Sequence, residues 1–189
     1  MQGQCCSQTD RHLPTVVMDN FVRRLIAPPK KKISRFLRAG FVTADLGCGP
    51  GYFTIPMAKL VGESGRVYAV DSDPKSIEKL KQKIGEKQHT VEAHTTSAAR
   101  LDMVAGRSVD FVFANGLLCC MTDHHDAVAE IKRIMKPTGL AYVSVTKLYR
   151  HNDPRAVREE EWSRILEGFK VTERHDGILN RWATVSLRS

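Results

Sequence analysis

One stretch constrains this chain more than any other: Ala44-Asp45-Leu46-Gly47-Cys48-Gly49-Pro50-Gly51, followed by Val67-Tyr68-Ala69-Val70-Asp71. Phe41, Val42, Ala44 and Leu46 supply the apolar positions of a strand. The glycines then bend the chain into a helix predicted from Tyr52 to Val61. The second run reads as another buried strand, Arg66 to Val70, with a carboxylate directly after it. In a parallel sheet both strands deliver their C-terminal ends to one rim, where open α/β folds bind ligands. Glycines at 47, 49 and 51 let a ligand approach the backbone closely. Asp71 stands where a carboxylate accepts from both hydroxyls of a ribose.

The spacing also excludes. A dinucleotide loop reads G-x-G-x-x-G and wants a third glycine at position 52, which is Tyr52. Here the pattern is G-x-G-x-G, with Asp45 two residues before its first glycine. An acid beside the loop disfavours a pyrophosphate and favours a cationic amino group. The expected ligand is therefore a nucleoside carrying an amino acid.

On these residues the chain resembles the class I S-adenosylmethionine-dependent methyltransferases. Asp45-Leu46-Gly47-Cys48-Gly49-Pro50-Gly51 is similar to their glycine motif, and Asp71 matches the acid they place on the cofactor ribose. The resemblance runs from about Met18 to Leu187 and is nearest the small-molecule branch that includes ubiquinone and menaquinone methyltransferases. It implies S-adenosylmethionine as cofactor and a doubly wound α/β fold, a seven-stranded, mostly parallel sheet with the last strand antiparallel.

Reading along the chain agrees with that fold class. Residues 1–17 form an aperiodic polar tail, and residues 18–189 are expected to make one domain. Met18 to Ala27 and Pro29 to Arg38 are predicted helices. The resemblance makes them a cover over the cofactor (about 18–40). Asp73-Pro74 opens a helix carrying Ile77, Leu80 and Ile84. Strands are predicted over Thr90–Thr95, Asp110–Ala114 and Leu140–Thr146. A helix spans Asp126–Lys136, and Lys136 to Gly139 is a turn. Arg155–Glu167 is helical, and Phe169–His175 pairs with Arg181–Leu187 through a turn at Asp176-Gly177.

The cofactor residues expected from the motif are Asp45, Gly47, Cys48, Gly49, Gly51, Tyr52, Asp71 and Ser72. For Tyr52, core packing is the preferred reading over contact with the methionine end of the cofactor; Ser72 reads equally as a turn residue. The resemblance adds Ser97, Ala98 and Asn115. The family usually has aspartate where Ser97 stands; a serine hydroxyl still accepts, and the Ala98 amide still donates to an adenine. Asn115-Gly116-Leu117-Leu118 is not Asn-Pro-Pro-Tyr, the signature of amino methylation on nucleobases, and has no Pro-Cys step for cytosine-C5 chemistry.

No catalytic side chain is assigned, because methyl transfer from a sulfonium is mostly positioning and desolvation. Cys119-Cys120 and His124-His125 are the remaining chemical cluster. Adjacent pairs violate zinc-ligand spacing, so loop packing is preferred and no metal is expected. The resemblance also raises arsenite, which some relatives methylate using cysteines, and either histidine could serve as a base. Neither reading displaces packing.

The chain has 189 residues, net charge +8 and five cysteines. No apolar run approaches the roughly 18 residues of a membrane span. The N-terminus lacks a signal-peptide pattern, and the odd cysteine count does not suggest a disulfide framework, so a cytoplasmic location is expected. Between Asp19 and Asp45 lie seven basic residues and no acid. This collar reads first as a solvated face and second as an attractant for an anionic substrate. The expected partner is a small-molecule acceptor. A nucleic acid is not favoured, and an RNA methyltransferase and a non-catalytic cofactor-binding protein stand as alternatives. Oligomeric state is not readable.

Overall fold

The computed structural model describes residues 29–85, 89–149 and 152–188. The expected tail and the Met18–Ala27 helix lie outside the described residues. In chain order the elements are α1 (Pro29–Ile33), β1 (Val42–Leu46), α2 (Thr54–Val61), β2 (Arg66–Asp71), α3 (Pro74–Ile84), β3 (Val91–Thr95) and β4 (Val109–Asn115). A 3-10 turn (Leu118–Cys120), α4 (His124–Ile134), β5 (Met135–Thr146), α5 (Glu159–Glu167), β6 (Phe169–Asp176) and β7 (Asn180–Leu187) follow.

The strands form one seven-stranded sheet in the order β3-β2-β1-β4-β5-β7-β6. β1 pairs in parallel with β2 and β4, and β7 runs antiparallel to both β5 and β6. This is the expected doubly wound sheet with an antiparallel last strand. The order reverses between β1 and β4, so the β1 glycine loop stands at the switch point, where such sheets open a crevice.

Alternation along each strand divides the core. Ala44, Leu46, Tyr68, Val70, Val112, Ala114, Val143 and Val145 pack one face, with Ile131 of α4 and Trp162 of α5. Phe111, Phe113 and Tyr142 pack the other, against Ile33 of α1 and Met57, Ala58 and Val61 of α2. The period of two is the pleat of a sheet covered on both sides. α3 begins where Asp73 caps it: Asp73 accepts from Lys75 N–H at 3.1 Å, with Pro74 at the first helical position.

Some expected bounds shift. The helix expected from Pro29 to Arg38 stops at Ile33, because the chain turns so that Phe36 stacks on Phe111, ring centroids 5.1 Å apart. The helix expected from Arg155 starts at Glu159, and α2 starts at Thr54. The turn expected at Lys136–Gly139 is an irregular stretch inside β5. Met135 pairs with Val109 and Leu140 with Phe111, so the residues between bow out of register, held by a Lys136–Asp110 ion pair of 2.7 Å.

Candidate functional site at the sheet switch point

β1 and β2 run in register, with Leu46 opposite Val70, so the glycine loop and Asp71 leave the sheet side by side. Gly47 and Cys48 N–H both donate to Val70 O, at 2.8 and 3.0 Å. Gly49 N–H then reaches Asp71 Oδ2 at 2.8 Å, and Asp73 N–H donates to Asp71 Oδ1 at 2.9 Å. These bonds fix the carboxylate at the rim.

The glycines are required by space. Gly51 has φ +90°, and a Cβ there would lie 2.5 Å from Leu80 Cδ1. Gly47 has φ +75°, and its Cβ would press on Leu117 at 3.2 Å. Leu117 belongs to the segment after β4, so the loop is squeezed between two neighbouring crossovers.

Asp45 is 2% exposed, and its Oδ2 accepts from Thr54 Oγ at 2.7 Å. Burial pushes its carboxyl up to about 7, opposed by the Thr54 hydrogen bond and reinforced by the negative charge of Asp71. The Cys48 thiol is raised for the same first reason, burial, and then by Asp45 and Asp71.

β3 supplies the next wall. Thr96 N–H donates to Asp71 O at 3.1 Å, which places Ser97 and Ala98 beside the acid. Ser97 Oγ accepts from Ala99 N–H at 3.2 Å and closes its own turn. Ala98 is buried, and its N–H meets no acceptor among the described residues. Tyr52 is 4% exposed, with its ring edge-on to Phe53 at 4.9 Å. Tyr52 thus lies buried directly after the glycine loop.

The far side of the rim is built by β4 and β5. Asn115 Oδ1 accepts from Lys32 Nζ at 2.6 Å and from Ser144 Oγ at 3.0 Å. Ser144 Oγ also accepts from Gly116 N–H at 3.1 Å. The Lys32 ammonium lies over the rings of Tyr142, Phe113 and Phe53 at 4.7, 5.9 and 6.0 Å from their centroids. α1 thus lays one cation across the aromatic face beneath the rim. The sequence reading left Lys32 in the general basic collar and did not single out Ser144 or Thr54. A serine inside the apolar run Ala141 to Val145 was the signal available for Ser144.

Cys119 and Cys120 Sγ both contact Gly116 O, at 3.3 and 3.4 Å. The Cys119 thiol is lowered to about 7, chiefly by its hydrogen bond with Cys120. His124 is buried and pairs with Glu161 Oε1 at 3.2 Å, whereas His125 is exposed. No cluster of three or more metal-ligating side chains occurs among the described residues.

Comparison with known proteins adds a family. A family model described as a methyltransferase domain matches residues 44–143. Ribosomal protein L11 methyltransferase of Thermosipho melanesiensis is 28% identical over 143 residues, 72% of this chain and 52% of its own length. A demethylmenaquinone methyltransferase of Staphylococcus aureus is 30% identical over 104 residues, 55% of this chain and 42% of that one. A solved SAM-dependent methyltransferase from Aquifex aeolicus superposes with a TM-score of 0.78 at 23% identity, covering 92% of this chain and 97% of that one. The chain spans about half, or less, of the length of these curated relatives.

Proposed function

The chain belongs to the methyltransferase-domain family, and from that premise we propose that it transfers the methyl group of S-adenosylmethionine to a small-molecule acceptor held at the Asn115 rim. It is a class I S-adenosylmethionine-dependent methyltransferase by family and fold. The residues present fit the cofactor. A glycine-rich loop faces a fixed carboxylate, and the amide of buried Ala98 has no acceptor among the described residues.

When bound, S-adenosylmethionine supplies an electrophilic methyl on its sulfonium. Asp71 would take the two ribose hydroxyls. Backbone groups at Gly47, Cys48, Gly49 and Gly51 would hold the amino-acid end, with Asp45 favouring its ammonium. Ser72, Ser97 and Ala98 would border the adenine, Ala98 N–H donating and Ser97 accepting. Asn115 would stand at the methyl end. No side chain needs to act as a dedicated base; the rim positions the acceptor and excludes water.

The observation that carries the small-molecule reading is the Lys32–Asn115–Ser144 cluster, which lies on buried aromatic rings. It sets buried and half-buried polar side chains at the rim above an aromatic face, a lining suited to a compact acceptor. The basic groove that would suit a nucleic-acid backbone lies elsewhere. Arg164, Lys170, Arg174 and Arg188 line a groove of about 850 Å³. Its lining comes from α5, β6 and the residue just past β7, and does not include Asn115, Lys32 or Ser144.

Calorimetry with S-adenosylhomocysteine, followed by labelled methyl transfer to a metabolite extract and to total RNA, tests the reading. Cofactor binding with label in the metabolite fraction is expected. Label in RNA alone would move the acceptor to the second class. Binding without transfer to either would make the protein a cofactor binder, and no binding at millimolar ligand would end the proposal.

A further inference from the structure

Of the five large apolar side chains exposed among the described residues, four stand at the C-terminal end of β5 and the β6–β7 turn, and the fifth, Val171, lies apart in β6. Ile178 is 93% exposed, Leu148 64%, Leu179 59% and Tyr149 39%. They come from two separate segments, the exit of β5 and the β6–β7 turn. Isolated exposed leucines need no explanation, but several on two loops joined by backbone hydrogen bonds do.

The two segments are tied together. Lys147 N–H donates to Leu179 O at 2.8 Å, and Thr146 Oγ donates to the same carbonyl at 3.3 Å. Leu148 N–H donates to Thr146 Oγ at 3.0 Å, Gly177 N–H to Asn180 O at 2.9 Å, and Lys147 pairs with Asp176. Backbone bonds therefore hold the apolar side chains out in a fixed group. Asn115 pairs with Ser144, so Thr146 stands two residues, about 7 Å, beyond the level of the acceptor rim. The group projects past the entrance to the site.

Its surroundings are basic. Arg158 lies over the Tyr149 ring at 5.5 Å, and Arg174 and Arg181 flank Asp176 and Glu159. On the α1 side, Lys30 and Lys31 are exposed next to Lys32, which reaches the rim. Arg35 pairs with Glu173 at 2.7 Å. At the tip itself Lys147, Arg158, Arg174 and Arg181 stand against Asp176 and Glu159, with Arg181 buried, and the whole chain carries a net charge of +8.

We propose that Leu148, Tyr149, Ile178 and Leu179 form a docking tip that seats the catalytic rim on an anionic lipid surface. Apolar side chains ringed by cations suit an acyl boundary beneath anionic headgroups, and neither attraction suffices alone. A second copy of the chain would bring a like-charged ring against this one, which disfavours self-association through the tip. The proposal does not depend on which acceptor is methylated.

Flotation of the full chain with vesicles tests it. Binding is expected to an equal mixture of phosphatidylcholine and phosphatidylglycerol, weaker to phosphatidylcholine alone, and to fall as salt rises. The combined Leu148→Ser, Ile178→Ser, Leu179→Ser variant is expected to lose affinity about tenfold or more while binding S-adenosylhomocysteine as before. If that variant does not fold, Ile178→Ser alone, at the most exposed position, is expected to weaken flotation measurably. Absence of flotation, or flotation untouched by either variant, overturns the proposal. A concentration-dependent dimer that the same substitutions abolish would overturn it too, assigning the tip to a second copy.

Discussion

Gly49 donates its backbone N–H to Asp71 Oδ2 at 2.8 Å, joining the two halves of the sequence motif directly. The acid is thereby oriented before any ligand arrives. Asp71→Ala removes this tie and the proposed ribose acceptor together. Calorimetry should show S-adenosylhomocysteine affinity falling on the order of a hundredfold, as for the loss of two hydrogen bonds to a charged group. Asp71→Asn, which keeps one acceptor, should fall less.

Asp45 makes the apo-protein sensitive to pH. Its folded-state value, about 7, lies above the ordinary 3.8. The neutral form is the one that the fold favours, so its contribution is complete below pH 3.8 and is lost as pH rises to about 7. Urea midpoints of the apo-protein should decline over that window, and Asp45→Asn should flatten the decline. A ligand ammonium beside Asp45 favours the charged form, so cofactor affinity should rise with pH through the same range. Equal midpoints for both proteins at pH 5 and pH 8 would contradict this account.

Gly51→Ala puts a Cβ 2.5 Å from Leu80 Cδ1 at a φ of +90°. Strain and overpacking together should destabilise the fold by about 1–3 kcal/mol. Thermal unfolding of the variant checks the magnitude, and calorimetry should show weakened cofactor binding.

Lys32 is held by Asn115, at the proposed methyl end, and lies over three rings. Lys32→Met should cost about 1–2 kcal/mol of stability in urea and leave S-adenosylhomocysteine affinity unchanged. A large drop in that affinity would move Lys32 from the acceptor side to the cofactor side.

Two cysteines at the rim should differ sharply in reactivity. Cys119, lowered to about 7 by its bond with Cys120, should be alkylated by iodoacetamide with a rate that rises through pH 7. Cys48, buried and raised, should stay unmodified in the folded protein. Peptide mapping after a timed pulse distinguishes them, and Cys120→Ala should shift the Cys119 profile to higher pH.

Most strands were legible because alternation and the glycine loop are local signals that tertiary packing obeys, and the seven-stranded sheet with its antiparallel last strand followed from the family resemblance. Asp73-Pro74 announced α3 for the same reason. The ends of α1 and α5 were not legible. Phe36 leaves its helix to stack on Phe111, 75 residues away in sequence, and no local pattern encodes that contact. The irregular stretch in β5 was mistaken for a turn because Pro137 and Gly139 look alike in both settings. At the site, the Asp45 loop and Asp71 could be read from spacing. The link from Lys32 to Asn115 spans 83 residues and depended on how α1 folds back across the sheet.

The level pairing of Leu46 with Val70 sets a rule for how this chain can change length. An extra residue within β2 would carry the acid about 3.3 Å along the strand and turn it to the opposite face, breaking the grip on the loop. The bend at Gly62, where an added side chain meets nothing within 4 Å, imposes no such limit. Insertions in this lineage should therefore accumulate between α2 and β2, while the strands on either side keep their residue count.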